Sequence, residues 1–64
     1  SEEAGRAVST AARHLERLLV EGVEPPGFEG AALLEPTWKR AVDAARAAYT
    51  TSIESVKRPL DVVS

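Results

Sequence analysis

Two apolar stripes with helical spacing, separated by a Pro-Pro-Gly turn, dominate this sequence. Apolar side chains recur every three or four residues over residues 4–22 and again over residues 38–56. This spacing places them on one face of an α-helix. Pro25, Pro26 and Gly27 lie between the stripes, where proline removes backbone donors and glycine adds conformational freedom. The pattern therefore predicts an all-α helical hairpin made of two long antiparallel helices.

The helix boundaries follow from the residues that start and stop helices. We expect the first helix over about residues 2–22, because glycine is common just past a helix end. The second helix is expected over about residues 36–58, since Pro36 suits a first helical turn and Pro59 cannot continue a helix. Residues 31–34 are apolar enough for a short helical turn within the connection, residues 23–35. Residues 59–64 form a tail, and residues 1–64 are read as one domain.

The small size of the chain limits how it can be stabilised. A domain of 64 residues buries only roughly 60% of the surface that its unfolded chain exposes. Because the sequence has no cysteine and one histidine, disulfides and the usual zinc ligand sets are excluded. Helix packing and association are the remaining sources of stability. We therefore expect the hairpin to complete a four-helix bundle, by dimerisation or by docking on a partner.

The second helix has a wider apolar arc than one neighbour would cover. Ala41, Ala44, Ala48 and Ser52 extend its stripe sideways with small side chains, which allow a second helix to approach closely. The alternative is that alanine is present only as a good helix former. The predicted interface residues are Val8, Leu15, Val20, Trp38, Ala41, Ala45, Ala48, Tyr49, Ile53 and Val56.

No cluster of residues in the sequence indicates catalysis. His14 is the only histidine, and it has no carboxylate at a spacing that would orient it as a base. The glutamates are not paired on one helical face, and no Glu-x-x-His motif of a di-iron bundle is present. We therefore expect a structural or interface role for His14, and no catalytic, metal-binding or cofactor-binding residues.

Charge and hydropathy argue against two classes of partner. The net charge is −2 and the pI is about 5.3, whereas nucleic-acid binding needs a basic surface. Arg6, Arg13 and Arg17 form a basic row, but Glu16 and Glu21 interrupt it. The longest apolar run is too short to span a bilayer, and the acidic start is unlike a secretory leader. We expect a soluble, cytoplasmic protein that binds neither nucleic acid nor membrane.

These observations favour a non-enzymatic protein–protein interaction or oligomerisation module. Its partner would be itself, as a homodimer, or another helical protein. A docking or dimerisation domain of a larger multi-enzyme and a small accessory subunit both fit this description. The alternative is a small-molecule-binding helical protein with a site near Trp38, Tyr49, His14 and Phe28, where the few aromatic and titratable side chains could converge.

Overall fold

The computed structural model describes residues 1–57, which form two α-helices and one short 3₁₀-helix. Helix α1 spans Glu2–Glu21, the 3₁₀-helix spans Ala31–Leu34, and helix α2 spans Thr37–Lys57. No β-strand occurs within residues 1–57. The predictions of an all-α fold, of two long helices and of a helical turn between them are confirmed. The predicted helix stop at Pro59 and the tail of residues 59–64 lie outside the described residues.

Both ends of α1 satisfy backbone groups that a helix leaves unpaired. The Ser1 hydroxyl accepts a hydrogen bond of 3.2 Å from the Ala4 N–H, as expected for serine at a helix N-cap. At the other end Gly22 adopts a left-handed conformation with φ of 72°. Its N–H donates to the Leu18 carbonyl at 3.0 Å. Gly22 is therefore the predicted cap, and glycine suits it because a side chain disfavours positive φ.

The start of α2 is set by Pro36. Its carbonyl accepts a hydrogen bond of 3.2 Å from the Arg40 N–H, which is the first bond of the helix. Proline fits at this boundary because the N–H that it lacks would have no partner within the helix. The helix therefore begins at Thr37, one residue after the predicted start.

The contacts between α1 and α2 show that the helices run in the same direction. Near the start of α2, Trp38 shares a cleft with Ala11 and Leu15 from the middle of α1. Three turns later along α2, the ring of Tyr49 lies against Gly22, where α1 ends. Contacts thus advance toward the C-terminus along both helices. A hairpin with antiparallel helices would instead carry Tyr49 toward the N-terminus of α1.

The predicted antiparallel direction is therefore wrong, because the connection returns along α1 before α2 begins. Phe28 packs on His14, with ring centroids 5.3 Å apart. Further back, a Cβ at Gly30 would lie only 2.8 Å from the Cβ of Ala7. Residues 22–36 are long enough for this return, since an extended chain covers about 3.3 Å per residue.

The core between these elements is thin. Among residues 1–57 the buried apolar residues are Ala7, Ala11, Leu18 and Ala45. Leu18 is the only large side chain among them and is 1% exposed. The last two turns of α2 extend past the end of α1, and Val56 there is 81% exposed. Much of the apolar surface of both stripes therefore remains uncovered by the residues that the structure describes.

Candidate interaction surface

An open apolar cleft lies between α1, α2 and the 3₁₀-helix. Its volume is about 470 Å³. Ten residues line it: Val8, Ala11, Ala12, Leu15, Leu33, Leu34, Glu35, Thr37, Trp38 and Ala41. Glu35 and Thr37 are the polar members, and the other lining residues are apolar. The cleft therefore offers a hydrophobic surface that the rest of residues 1–57 leaves open.

The cleft lies on the flank of the helix pair that the connection leaves open. His14 and Leu15 lie on opposite edges of the apolar stripe of α1, because successive helical residues are about 100° apart. Phe28 of the connection covers the His14 edge, whereas Leu15 lines the cleft. The connection thus covers one flank of the helix pair, and the cleft occupies the other.

Large apolar side chains continue the cleft onto its rim. Val8 and Leu33 are each 55% exposed, and Leu19, one turn after Leu15, is 47% exposed. On the α2 side, the exposed residues Ala44 and Ala48 continue the row that Ala41 begins. Contiguous exposed apolar surface of this kind marks protein interaction sites in soluble proteins.

An ion-pair cluster joins the connection to α2 on the covered flank. The Arg46 guanidinium donates two hydrogen bonds of 2.8 Å to the two carboxylate oxygens of Glu24, and a third of 3.0 Å to Asp43. Hydrogen bonding to Arg46, with a smaller contribution from its charge, holds the pKa of Glu24 below its ordinary value. The same bonds raise the pKa of Arg46. The cluster holds the start of the connection beside α2 and lies away from the cleft.

Three aromatic rings pack together behind the cleft. Phe28 lies between His14 and Trp38, with ring centroids 5.3 Å from each neighbour. The planes of Phe28 and Trp38 meet at 88°, an edge-to-face arrangement that is favourable for aromatic pairs. The structure therefore brings together three of the four residues predicted for a small-molecule site. The fourth, Tyr49, packs against Gly22, about 16 Å further along α2 at the usual rise per residue.

The predicted interface residues fall into four groups in the structure. Val8, Leu15, Trp38 and Ala41 line the cleft, and Ala48 is exposed on the same side of α2. Ala45 is buried and Tyr49 is half-buried against Gly22, so both serve contacts within the chain. Ile53 and Val56 lie on the part of α2 beyond α1. Val20 is 71% exposed, on the face of α1 opposite the buried Ala11.

The 3₁₀-helix contributes to the cleft. Leu33 and Leu34 form part of the cleft wall, although the predicted interface contained no residue of the connection. A signal was present in the length of residues 22–36, since helix–helix connections in bundles usually have about two to eight residues. A longer apolar connection indicates a segment that packs as a layer of its own.

Residues 1–57 contain no group of three potential metal-ligating side chains. Neither helix within this range has the length and hydropathy of a membrane-spanning segment. In comparisons with known proteins, the chain matches no family model, no curated protein and no solved structure.

Proposed function

We propose that this chain is a non-catalytic protein–protein interaction module whose open cleft packs against a helical partner. The observation that carries the proposal is the apolar cleft of about 470 Å³ beside a core with one large buried side chain, Leu18. The partner is a second copy of the chain or another helical protein. Both a docking or dimerisation domain of a multi-enzyme and a small accessory subunit would use such a surface.

The energetics support this proposal. Full burial of a Val or Leu side chain stabilises a protein by about 1.5–3 kcal/mol. Val8, Leu19 and Leu33 are each about half exposed, so covering them would contribute several kcal/mol. That gain is comparable to the total stability of a small domain, about 5–15 kcal/mol. Partner binding would therefore be coupled to the stability of the helices.

Light scattering over a dilution series, with helical circular dichroism on the same samples, tests the proposal. We expect the molar mass to fall to that of one chain while helicity decreases. A hydrophobic dye added at the lowest concentration reports whether any remaining folded monomer exposes the cleft. A fully helical monomer that binds no dye would contradict the proposal.

Two neighbouring residues of α1 provide matched variants for the cleft. Leu19→Glu introduces a charge on the cleft rim, whereas Val20→Glu introduces the same charge about 100° further around α1, on the more exposed face opposite the buried Ala11. We expect Leu19→Glu to abolish association or dye binding and Val20→Glu to preserve them. Equal effects of the two variants would show that the cleft is not the contact surface.

A further inference from the structure

We propose that the partner is a second copy of this chain, and that two copies pack cleft to cleft around a two-fold axis parallel to the helices. This inference rests on the proposed function. It adds the identity of the partner, the symmetry of the dimer and the residues that meet. Three features of the described residues support it: the register of the helices, the sizes of the rim side chains and the rim charges.

The two sides of the cleft differ in side-chain size. Their side chains also lie at complementary positions along the helix axes. Trp38 shares the cleft with Ala11 and Leu15, and the ring of Tyr49 lies against Gly22. With a rise of about 1.5 Å per residue in both helices, these contacts place residue 38 at roughly the height of residue 11 and residue 49 at roughly that of residue 22. Leu15 lies at a height between Ala41 and Ala44. One turn later, Leu19 lies at a height between Ala44 and Ala48. The α1 side thus presents bulky side chains at the heights where the α2 side presents gaps between alanines.

A two-fold axis parallel to the helices brings the leucine side of each copy against the alanine side of the other. Rotation about such an axis changes no heights and places α1 of each copy opposite α2 of the other. Leu15 and Leu19 of one copy then insert between the alanines of the other, as knobs insert into holes in helical bundles. An axis perpendicular to the helices would place α1 on α1, where leucines meet leucines and the alanine side remains underpacked.

The charges on the rim complement each other in the same arrangement. Glu16 lies just outside the cleft on α1, and Arg40 lies just outside it on α2. Both are exposed, and neither belongs to an ion pair within residues 1–57. Their heights differ by roughly one helical turn, about 5 Å, which their long side chains can span. The parallel axis therefore gives two Glu16–Arg40 pairs, whereas the perpendicular axis places Glu16 near Glu16.

Charge reversal at these two residues tests the pairing. Glu16→Arg alone and Arg40→Glu alone each create two like-charged contacts in the homodimer. We expect each to raise the dissociation constant roughly threefold to tenfold, the range typical of exposed pairs. In an equimolar mixture of the two variants, both contacts become attractive. Native mass spectrometry should therefore show the mixed dimer above its statistical half. The matched control is Glu54→Arg, on the far face of α2, which should leave the dissociation constant unchanged.

A distance measurement tests the direction of the axis. Because the chain has no cysteine, Ser55→Cys provides a single site for a spin label near the end of α2. Around a parallel axis the two labels lie at the same height, and helices packed 8–10 Å apart place them roughly 15–25 Å from each other. Around a perpendicular axis the two ends point away from each other, and the labels lie roughly 35 Å apart or more.

The outcomes separate this inference from the proposed function. A folded wild-type monomer that binds the dye through Leu19 overturns the self-association and leaves the docking surface in place for another protein. A dimer unaffected by either single charge reversal, or one with the longer label distance, overturns this arrangement of the two copies. A folded monomer that binds no dye overturns both proposals. The inference is supported by three results together: weaker association of each single charge reversal, a mixed dimer above its statistical half, and a label-to-label distance of roughly 15–25 Å.

Discussion

The ring of Tyr49 lies so close to Gly22 that a Cβ at Gly22 would come within 2.6 Å of two ring carbons. Gly22 also has φ of 72°, where a side chain is disfavoured by its own backbone. The two residues thus define both the end of α1 and the place where α2 passes it. A side chain at Gly22 would disturb the cap and the helix packing together.

Gly22→Ala should therefore destabilise the chain. The left-handed conformation alone costs a residue with a side chain about 1–2 kcal/mol, and displacement of the Tyr49 ring adds to this. We expect a lower urea midpoint in circular dichroism, measured at the same chain concentration as the wild type. Gly5→Ala is the control, since Gly5 lies inside α1 with nothing within 4 Å of its Cβ position. That change should stabilise the chain by up to about 1 kcal/mol. Similar midpoints for the two variants would contradict the Gly22–Tyr49 contact.

Acid should weaken the attachment of the connection to α2. Hydrogen bonding to Arg46 lowers the pKa of Glu24 from its ordinary value of 4.5. A carboxylate with a depressed pKa contributes stability that is present above the unfolded pKa and is lost as the pH falls through the folded pKa. We therefore expect the urea midpoint to decrease as the pH falls from about 5 toward 3.

Glu24→Gln tests the origin of this pH dependence. The variant should be less stable than the wild type at pH 7. This difference in stability should shrink in acid, because Glu24 of the wild type is then protonated and its ion pair with Arg46 is lost. Glu21→Gln is the control, since Glu21 meets Arg17 at 3.7 Å on the exposed face of α1 and exposed pairs of this kind contribute little. A Glu24 variant with the full wild-type slope would assign the acid effect to other carboxylates.

Phe28→Ala should detach the connection from the aromatic cluster. Phe28 is half-buried and contacts both His14 and Trp38. Truncating a fully buried Phe costs about 3–5 kcal/mol, so we expect about 2 kcal/mol at this half-buried position. Trp38 fluorescence should shift to longer wavelength as water reaches the ring. Glu29→Ala, at the exposed neighbouring position, should leave the emission unchanged. An unshifted Phe28→Ala spectrum would contradict the edge-to-face contact between Phe28 and Trp38.

Hydrogen exchange should divide α2 into two parts. Residues 42–49 pack beside α1, whereas residues 53–57 extend past its end, and two isolated helical turns are not stable in water. We expect amides of residues 53–57 to exchange at least about tenfold faster than those of residues 42–49, because local opening is easier where packing is sparse. Uniform protection along α2 would show that a partner covers the extension.

The existence and boundaries of the helices could be predicted because they depend on local chemistry. The apolar stripes follow helical spacing, Gly22 supplies the left-handed cap, and Pro36 stands at the start of α2. The 3₁₀-helix, Ala31–Leu34, was predictable from its apolar residues. Each of these features depends on a few neighbouring residues, and a single sequence contains that information.

The direction of α2 could not be predicted because an apolar stripe packs equally well in either direction. Placing Tyr49 beside Gly22 requires the connection to return to the middle of α1 first. That return depends on the contacts that Phe28 and Gly30 make with His14 and Ala7. These contacts are distant in sequence and leave no periodic pattern. The α1 and α2 residues of the cleft follow the apolar stripes, whereas Leu33 and Leu34 reach the cleft only through the return of the connection.

The return of the connection along α1 also limits how many partners the helix pair can take. Within residues 1–57, Phe28 and the Arg46–Glu24 pair occupy one flank of the helix pair, so the cleft side is the flank left open for the proposed partner. A subunit that associates through one such surface binds one partner at a time. If two copies pair cleft to cleft as proposed, the two-fold symmetry closes the contact, and the dimer does not propagate into a filament.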